Sequence, residues 1–91
     1  MVYLIFEARI KFNHMPTVEV YKEQSCGACE VEVPRIIREA KALGIDVRVI
    51  DLATCPVNRE NTCSRIEYVP TLMYQGKEIG ISDLAKIAKQ R

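Results

Sequence analysis

No stretch of this sequence is apolar for anything near the roughly 20 residues that a membrane-spanning helix needs. The apolar opening MVYLIF breaks at Glu7 and Arg9. It has neither a cationic n-region nor a small-residue cleavage site, which argues against a secretory signal. Charge of one sign is also missing: 13 Lys and Arg against 12 Asp and Glu leave a formal net charge of +1. That excludes the basic stripe on which binding to a nucleic-acid backbone depends. There is no acidic tail, no internal repeat and no low-complexity segment. The single histidine, His14, falls in a linker, where a surface role is expected rather than a ligand or a base.

What is present is ordinary for a globular domain, with 48% hydrophobic and 27% charged residues. A chain of 91 residues makes one domain. It buries roughly 60–65% of its unfolded surface, enough for a core without a staple. Four cysteines in a chain expected to be cytoplasmic point to redox or metal chemistry, not to a secreted disulfide scaffold.

Residues 2–12 alternate, with Val2, Leu4, Phe6, Ala8, Ile10 and Phe12 on one face and Glu7, Arg9 and Lys11 on the other. That period predicts a strand. TVEVYK (Thr17–Lys22) predicts a second. From Cys26 the pattern becomes helical through Val33, Ile36, Ile37, Ala40 and Leu43, and Gly44 stops it. Ile45–Leu52 is a third strand, and TCPVNRENTCSRI a short helix with Pro56 at its first position. TLMYQ and KEIG form a hairpin around Gly76. SDLAKIAKQR closes the chain as a helix, with Ser82 at its N-cap and Asp83 at the positive end of the dipole.

The order is therefore β–β–α–β–α–β–β–α, with residues 1–16 an N-terminal strand extension and linker and residues 17–91 the main domain. The first strand is expected at a sheet edge, beside Ile45–Leu52, or against a second chain as an edge-strand dimer. A plainer alternative is that the natural chain starts at Met15.

The chemistry centres on EQSCGACEVEVP, residues Glu23 to Pro34. Only a thiolate attacks a disulfide, so a redox cysteine needs its negative charge stabilised near neutral pH. A helix N-terminus does this with unsatisfied N–H groups and the positive dipole end. Cys26 falls at the predicted helix start, and Cys29 lies one turn on, on the same face. Cys26 is then the attacking thiol and Cys29 the resolving one. Gly27 and Ala28 are small and leave the sulfur open to a protein-sized substrate. Two other readings of these cysteines stay open: one half of a Cys₄ zinc site, and unreactive buried thiols. Against zinc, Cys55 and Cys63 are separated by seven residues, not set in a second tight turn. No resident metal or cofactor is expected.

Cys55 and Cys63 present a geometric choice. A continuous helix would hold their Cα atoms about 12 Å apart, whereas a disulfide tolerates at most about 7 Å. Either the segment bends and the pair is crosslinked, or it is helical and the thiols are separate, with Cys55 a candidate helix N-cap. A second redox pair or metal ligation is a third option.

CGAC followed at five residues by Pro34, then a βα unit and YVPT before a hairpin, resembles the thioredoxin/glutaredoxin superfamily over residues 17–91. VPTLMYQGKEIG runs in register with a glutaredoxin pattern, and small archaeal members that mix both sets of features are the nearest type. The resemblance implies a thioredoxin-like fold, βαβ then ββα around a four-stranded mixed sheet. It implies a protein-disulfide reductase that needs no cofactor and draws electrons from a separate reductase or a small thiol. Pro70 matches the superfamily's cis-proline, so Val69 and Pro70 are expected to shape the docking site for disulfide-containing target proteins. Several departures argue against glutathione as the obligate partner. Ile81 stands where glutaredoxins carry a second glycine, Glu23 where they carry lysine, and Gly-Ala where Pro-Tyr is common. Ser25 replaces thioredoxin's tryptophan, and Val20 its buried acid. The rival class is a redox-inert binding module or a structural zinc protein on the same fold.

Overall fold

A strand that alternates Val-Glu-Val-Tyr buries different groups on its two sides, and the architecture follows from that. The computed structural model describes residues 15–90. In strand β1 (Thr17–Lys22), Val18, Val20 and Tyr21 are all fully buried. β1 sits inside a four-stranded sheet of order β2-β1-β3-β4. It runs parallel to β2 (Asp46–Asp51), with Thr17 opposite Asp46, and antiparallel to β3 (Thr71–Tyr74), with Tyr21 opposite Thr71. β3 turns back into β4 (Lys77–Ile79) as an antiparallel hairpin. Gln75 and Gly76 both have positive φ, 51° and 81°, which a two-residue hairpin loop requires. The mixed sheet, with βαβ followed by ββα, is the arrangement expected from the sequence.

Helix α1 (Gly27–Ala42) is the crossover from β1 to β2. Its inward residues Cys29, Val33, Ile36 and Ala40 join Val18, Val20, Ile45 and Leu72, and Leu84 and Ile87 of the last helix, in the main core. Each such aliphatic side chain stabilises the fold by about 1.5–3 kcal/mol. Ile37 was expected in the same stripe but is 36% exposed, because it lies at the edge of the face that the sheet covers. The helix ends as predicted around Gly44, whose φ is 75°. The Gly44 N–H bonds the Lys41 carbonyl and the Ile45 N–H bonds that of Ala40, a double closure that needs a left-handed residue.

Tyr21, Ile50 and Met73 form a smaller core on the other face, with Leu52, Cys63 and Ile66 packed against it. The segment between β2 and β3 covers this face in three pieces: 3₁₀ turns at Leu52–Thr54 and Val57–Arg59, then helix α2 (Glu60–Arg65). The single short helix expected here is thus broken. Pro56 precedes the second turn instead of opening the helix, and the first turn is capped by Asp51, whose Oδ1 accepts the Ala53 N–H at 2.9 Å.

The closing helix also differs from its expected start. Gly80, not Ser82, precedes a 3₁₀ turn at Ile81–Asp83 that leads into α3 (Leu84–Lys89). Asp83 reaches back, its Oδ2 accepting the Gly80 N–H at 2.8 Å, so the chain begins to coil two residues early. The expected N-terminal strand and His14 lie outside the described residues. Among those described, no helix is long and apolar enough to cross a membrane.

Candidate active site

The loop after β1 delivers Cys26 to the start of α1, where it is the N-cap, with extended backbone angles of −92° and 104°. An N-cap side chain faces the free N–H groups of the first turn. Here the Cys29 N–H donates to Cys26 Sγ at 2.9 Å. The serine or aspartate oxygen usual at such a cap is replaced by sulfur, which takes the orphan N–H that would bind the oxygen. Cys26 is half-buried, while Gly27 and Ala28 are exposed. A Cβ placed on Gly27 would meet nothing within 4 Å, so the space beyond that residue is open.

Cys29 is 4% exposed and belongs to the main core. The two sulfurs are joined as a disulfide, with Cα atoms 5.1 Å apart. One half of the pair faces outward and the other inward. Across the cleft lie Val69 and Pro70, half-buried and joined by a cis peptide bond. The Val69 carbonyl oxygen stands 3.9 Å from Cys26 Sγ. The structure therefore brings together Cys26, Cys29 and Val69, with Gly27 and Ala28 beside them.

Of the charged residues nearby in sequence, Glu23 and Glu30 are exposed, and Lys22 and Glu32 are paired elsewhere. Lys22 Nζ lies 3.6 Å from Asp51 Oδ2, tying the ends of β1 and β2. Glu32 pairs with Arg35 at 3.1 Å on the outer face of α1. Tyr74 packs at the border of the main core.

Cys55 and Cys63 are on the opposite side of the sheet from the main core. They too are disulfide-bonded, with Cα atoms 6.6 Å apart, because the segment bends at Pro56 and is not one continuous helix. Cys55 is therefore not a helix N-cap: it closes the first 3₁₀ turn, and Pro56 precedes the second. The four cysteines fall into two pairs, and among the described residues no three His, Cys, Asp or Glu side chains are grouped to hold a metal. A Cys₄ site requires the pairs to converge.

Two features went unread in the sequence. The first is a network between the loop that Cys55 and Cys63 close and strand β1. Arg59 Nε donates to Glu19 Oε2 at 2.7 Å, its Nη2 lies 2.7 Å from the same oxygen, and the Tyr21 hydroxyl donates to Glu19 Oε1 at 2.8 Å. Burial, and then the bond to Glu19, push the Tyr21 phenol up to about 12. The only available signal was a lone acid in a β-branched strand. A groove of about 860 Å³ runs beside this network, lined by Glu19, Arg48, Asn58, Arg59 and Met73 among others. None of its lining residues belongs to the Cys26 site. The second is Thr71, 5% exposed, whose hydroxyl donates to the Tyr68 carbonyl. The Tyr68 phenol donates to Glu78, and that bond holds the phenol above its usual range.

A βαβ–ββα mixed sheet with a bonded Cys-x-x-Cys at the mouth of its first helix is a thioredoxin-like fold. Among solved structures, the chain is similar to thioredoxin 1 from the thermophilic eubacterium Thermosipho africanus. The match has a TM-score of 0.59 and 24% sequence identity, over 81% of this chain and 91% of that one. The likeness is one of fold. No protein-family model and no curated protein sequence matches the chain.

Proposed function

We propose that the protein is a thiol–disulfide oxidoreductase that reduces disulfides in target proteins through Cys26 and Cys29. The observation that carries this is the Cys29 N–H held 2.9 Å from the N-capping Cys26 sulfur, with Cys29 itself buried behind it. In the reduced protein the Cys26 thiolate attacks one sulfur of a target disulfide. A mixed disulfide forms and the target's other sulfur leaves as a thiolate. Cys29, as thiolate, then attacks Cys26 Sγ. The Cys26–Cys29 bond forms, the target leaves as a dithiol, and two electrons have passed to it. A separate dithiol reductase, or a small thiol, returns the pair to the reduced state.

Protein disulfides are favoured over glutathione as substrate. Ile81, at the position where glutaredoxins carry glycine, is packed against the main core and leaves a side chain where a close backbone approach would be needed. Val69 and Pro70 form the far wall of the docking site. Cys55–Cys63 serves as a brace: Cys63 packs on Tyr21, Ile50 and Met73, on the side of the sheet away from the main core. The reading places the protein in a reducing, cytoplasmic setting.

The test is turnover of a protein disulfide such as insulin with a dithiol reductant. Wild-type protein should accelerate it, Cys26→Ser should not, and Cys29→Ser should accumulate the mixed disulfide. Acceleration that survives Cys26→Ser would refute the assignment.

A further inference from the structure

Two backbone groups meet the Cys26 sulfur, the Cys29 N–H at 2.9 Å and the Val69 carbonyl oxygen at 3.9 Å. They act on a thiolate in opposite senses. The N–H donates to the anion. The carbonyl oxygen turns the negative end of its dipole towards it and accepts only from the protonated thiol. The placement of one carbonyl therefore weighs on how much of the sulfur is ionised.

Val69 belongs to the irregular stretch between α2 and β3, so no sheet ladder fixes it. Its neighbour Tyr68 is fixed instead, at both ends. The Thr71 hydroxyl donates to the Tyr68 carbonyl, and the Tyr68 phenol donates to the Glu78 carboxylate on β4. Thr71 is itself buried, at 5% exposure. Its backbone pairs with Tyr21 of β1, and β3 is an inner strand of the sheet, so the hydroxyl stands on a laddered strand.

We propose that Thr71 is a positioning residue for the exchange reaction. Its hydroxyl, with Glu78 as a second anchor, mounts Tyr68 so that the Val69 carbonyl stands against Cys26 and restrains its ionisation. This rests on Cys26 being the attacking sulfur of the reading above. The other ionisable groups on the segments around the sulfur are Lys22, paired with Asp51, Glu23 and Glu30, both exposed, Glu67 and Tyr68 on the loop itself, and Asp83 and Lys86 at the start of α3, paired with each other. Of these, Thr71 touches only Tyr68, through its backbone carbonyl, so changing Thr71 alters no charged side chain near the sulfur.

The experiment alkylates the fully reduced protein at pH 6 and follows Cys26 by peptide mass. Thr71→Val keeps the shape and removes the hydroxyl, and Thr71→Ser keeps the hydroxyl. With one hydrogen bond at stake, Thr71→Val should alkylate about two- to ten-fold faster than wild type, its rate profile moving to lower pH. Thr71→Ser should match wild type. Tyr68→Phe, which releases only the Glu78 anchor on the exposed side, should show a smaller increase. If Thr71→Val reacts at the wild-type rate, or Thr71→Ser shifts as far as Thr71→Val, the proposal is overturned. Should Thr71→Val not fold, Tyr68→Phe decides, and a wild-type rate there overturns it. Alkylation reads the sulfur alone, so absence of disulfide turnover in the wild-type protein would sink the reductase reading by a separate result.

Discussion

The two cysteine pairs of this protein are joined by the same bond and set in opposite surroundings. Cys26 caps a 16-residue helix and takes an N–H from its first turn, with a buried partner one turn behind it. Cys55 and Cys63 close a bent loop of 3₁₀ turn and short helix, and Cys63 leans on a small core of Tyr21, Ile50 and Met73. On the proposed reading, the surroundings of the first pair stabilise the reduced, charged state of one sulfur. In the second, they reward the crosslinked state, because the loop it closes carries the Arg59 that docks on Glu19. What a disulfide does is decided by what its sulfurs touch when the bond is open.

The largest effect that would break this contrast is loss of turnover. Cys26→Ser should lower protein-disulfide reduction by at least about a hundredfold, since the other thiol of the pair, Cys29, is buried behind it. It should lower the melting temperature less than loss of the second pair does, because the Cys26–Cys29 bond closes a shorter loop. The converse variant is Cys55→Ser with Cys63→Ser. Closing a loop of this length stabilises by about 2–3 kcal/mol, so melting should fall by about 10–20 °C. Turnover at room temperature should change less than about twofold. Turnover abolished with melting unchanged would reverse the assignments of the two pairs.

The sheet and the Cys26 site were legible because their signals are local. Period two in Thr17–Lys22, the i, i+3, i+4 stripe from Val33, and Gly44 and Gly76 at left-handed positions all act within a few residues. Cys26 at a helix start is also a local reading. The loop between β2 and β3 was not legible. PVNRENTCSR carries ordinary helix signals, and only the crosslink eight residues apart and the turn at Pro56 decide against a continuous helix. Glu19 and Arg59 are separated by 40 residues, and nothing in either neighbourhood names the other. Ser82 looked like a cap because Ser-Asp-Leu is a helix-start pattern. Asp83 instead reaches back to Gly80 and starts the turn earlier.

Smaller effects sharpen the second region. Arg59→Ala removes the charged donor from Glu19, whose side chain is 17% exposed, and should lower the midpoint of a denaturant titration. Turnover should again be spared. The smallest effect is confined to alkaline solution. The Tyr21 phenol is raised from its ordinary 10.0 to about 12 by burial and by the bond to Glu19. The folded state thus holds this proton more tightly than the unfolded chain does. Its contribution to stability is complete below pH 10.0 and is lost as the pH climbs through about 12. Melting curves across that window should show the decline, and Tyr21→Phe should flatten it. A variant with the same slope as wild type would remove Tyr21 as its source.

The most direct test is a competition among the four thiols. The fully reduced protein is offered a limiting amount of alkylating agent at neutral pH, and each modified cysteine is counted. An N-capping thiolate at the helix mouth requires Cys26 to be modified at least about ten times faster than Cys29, Cys55 or Cys63. Equal labelling of all four, or Cys55 labelled first, would contradict the division of labour between the two pairs.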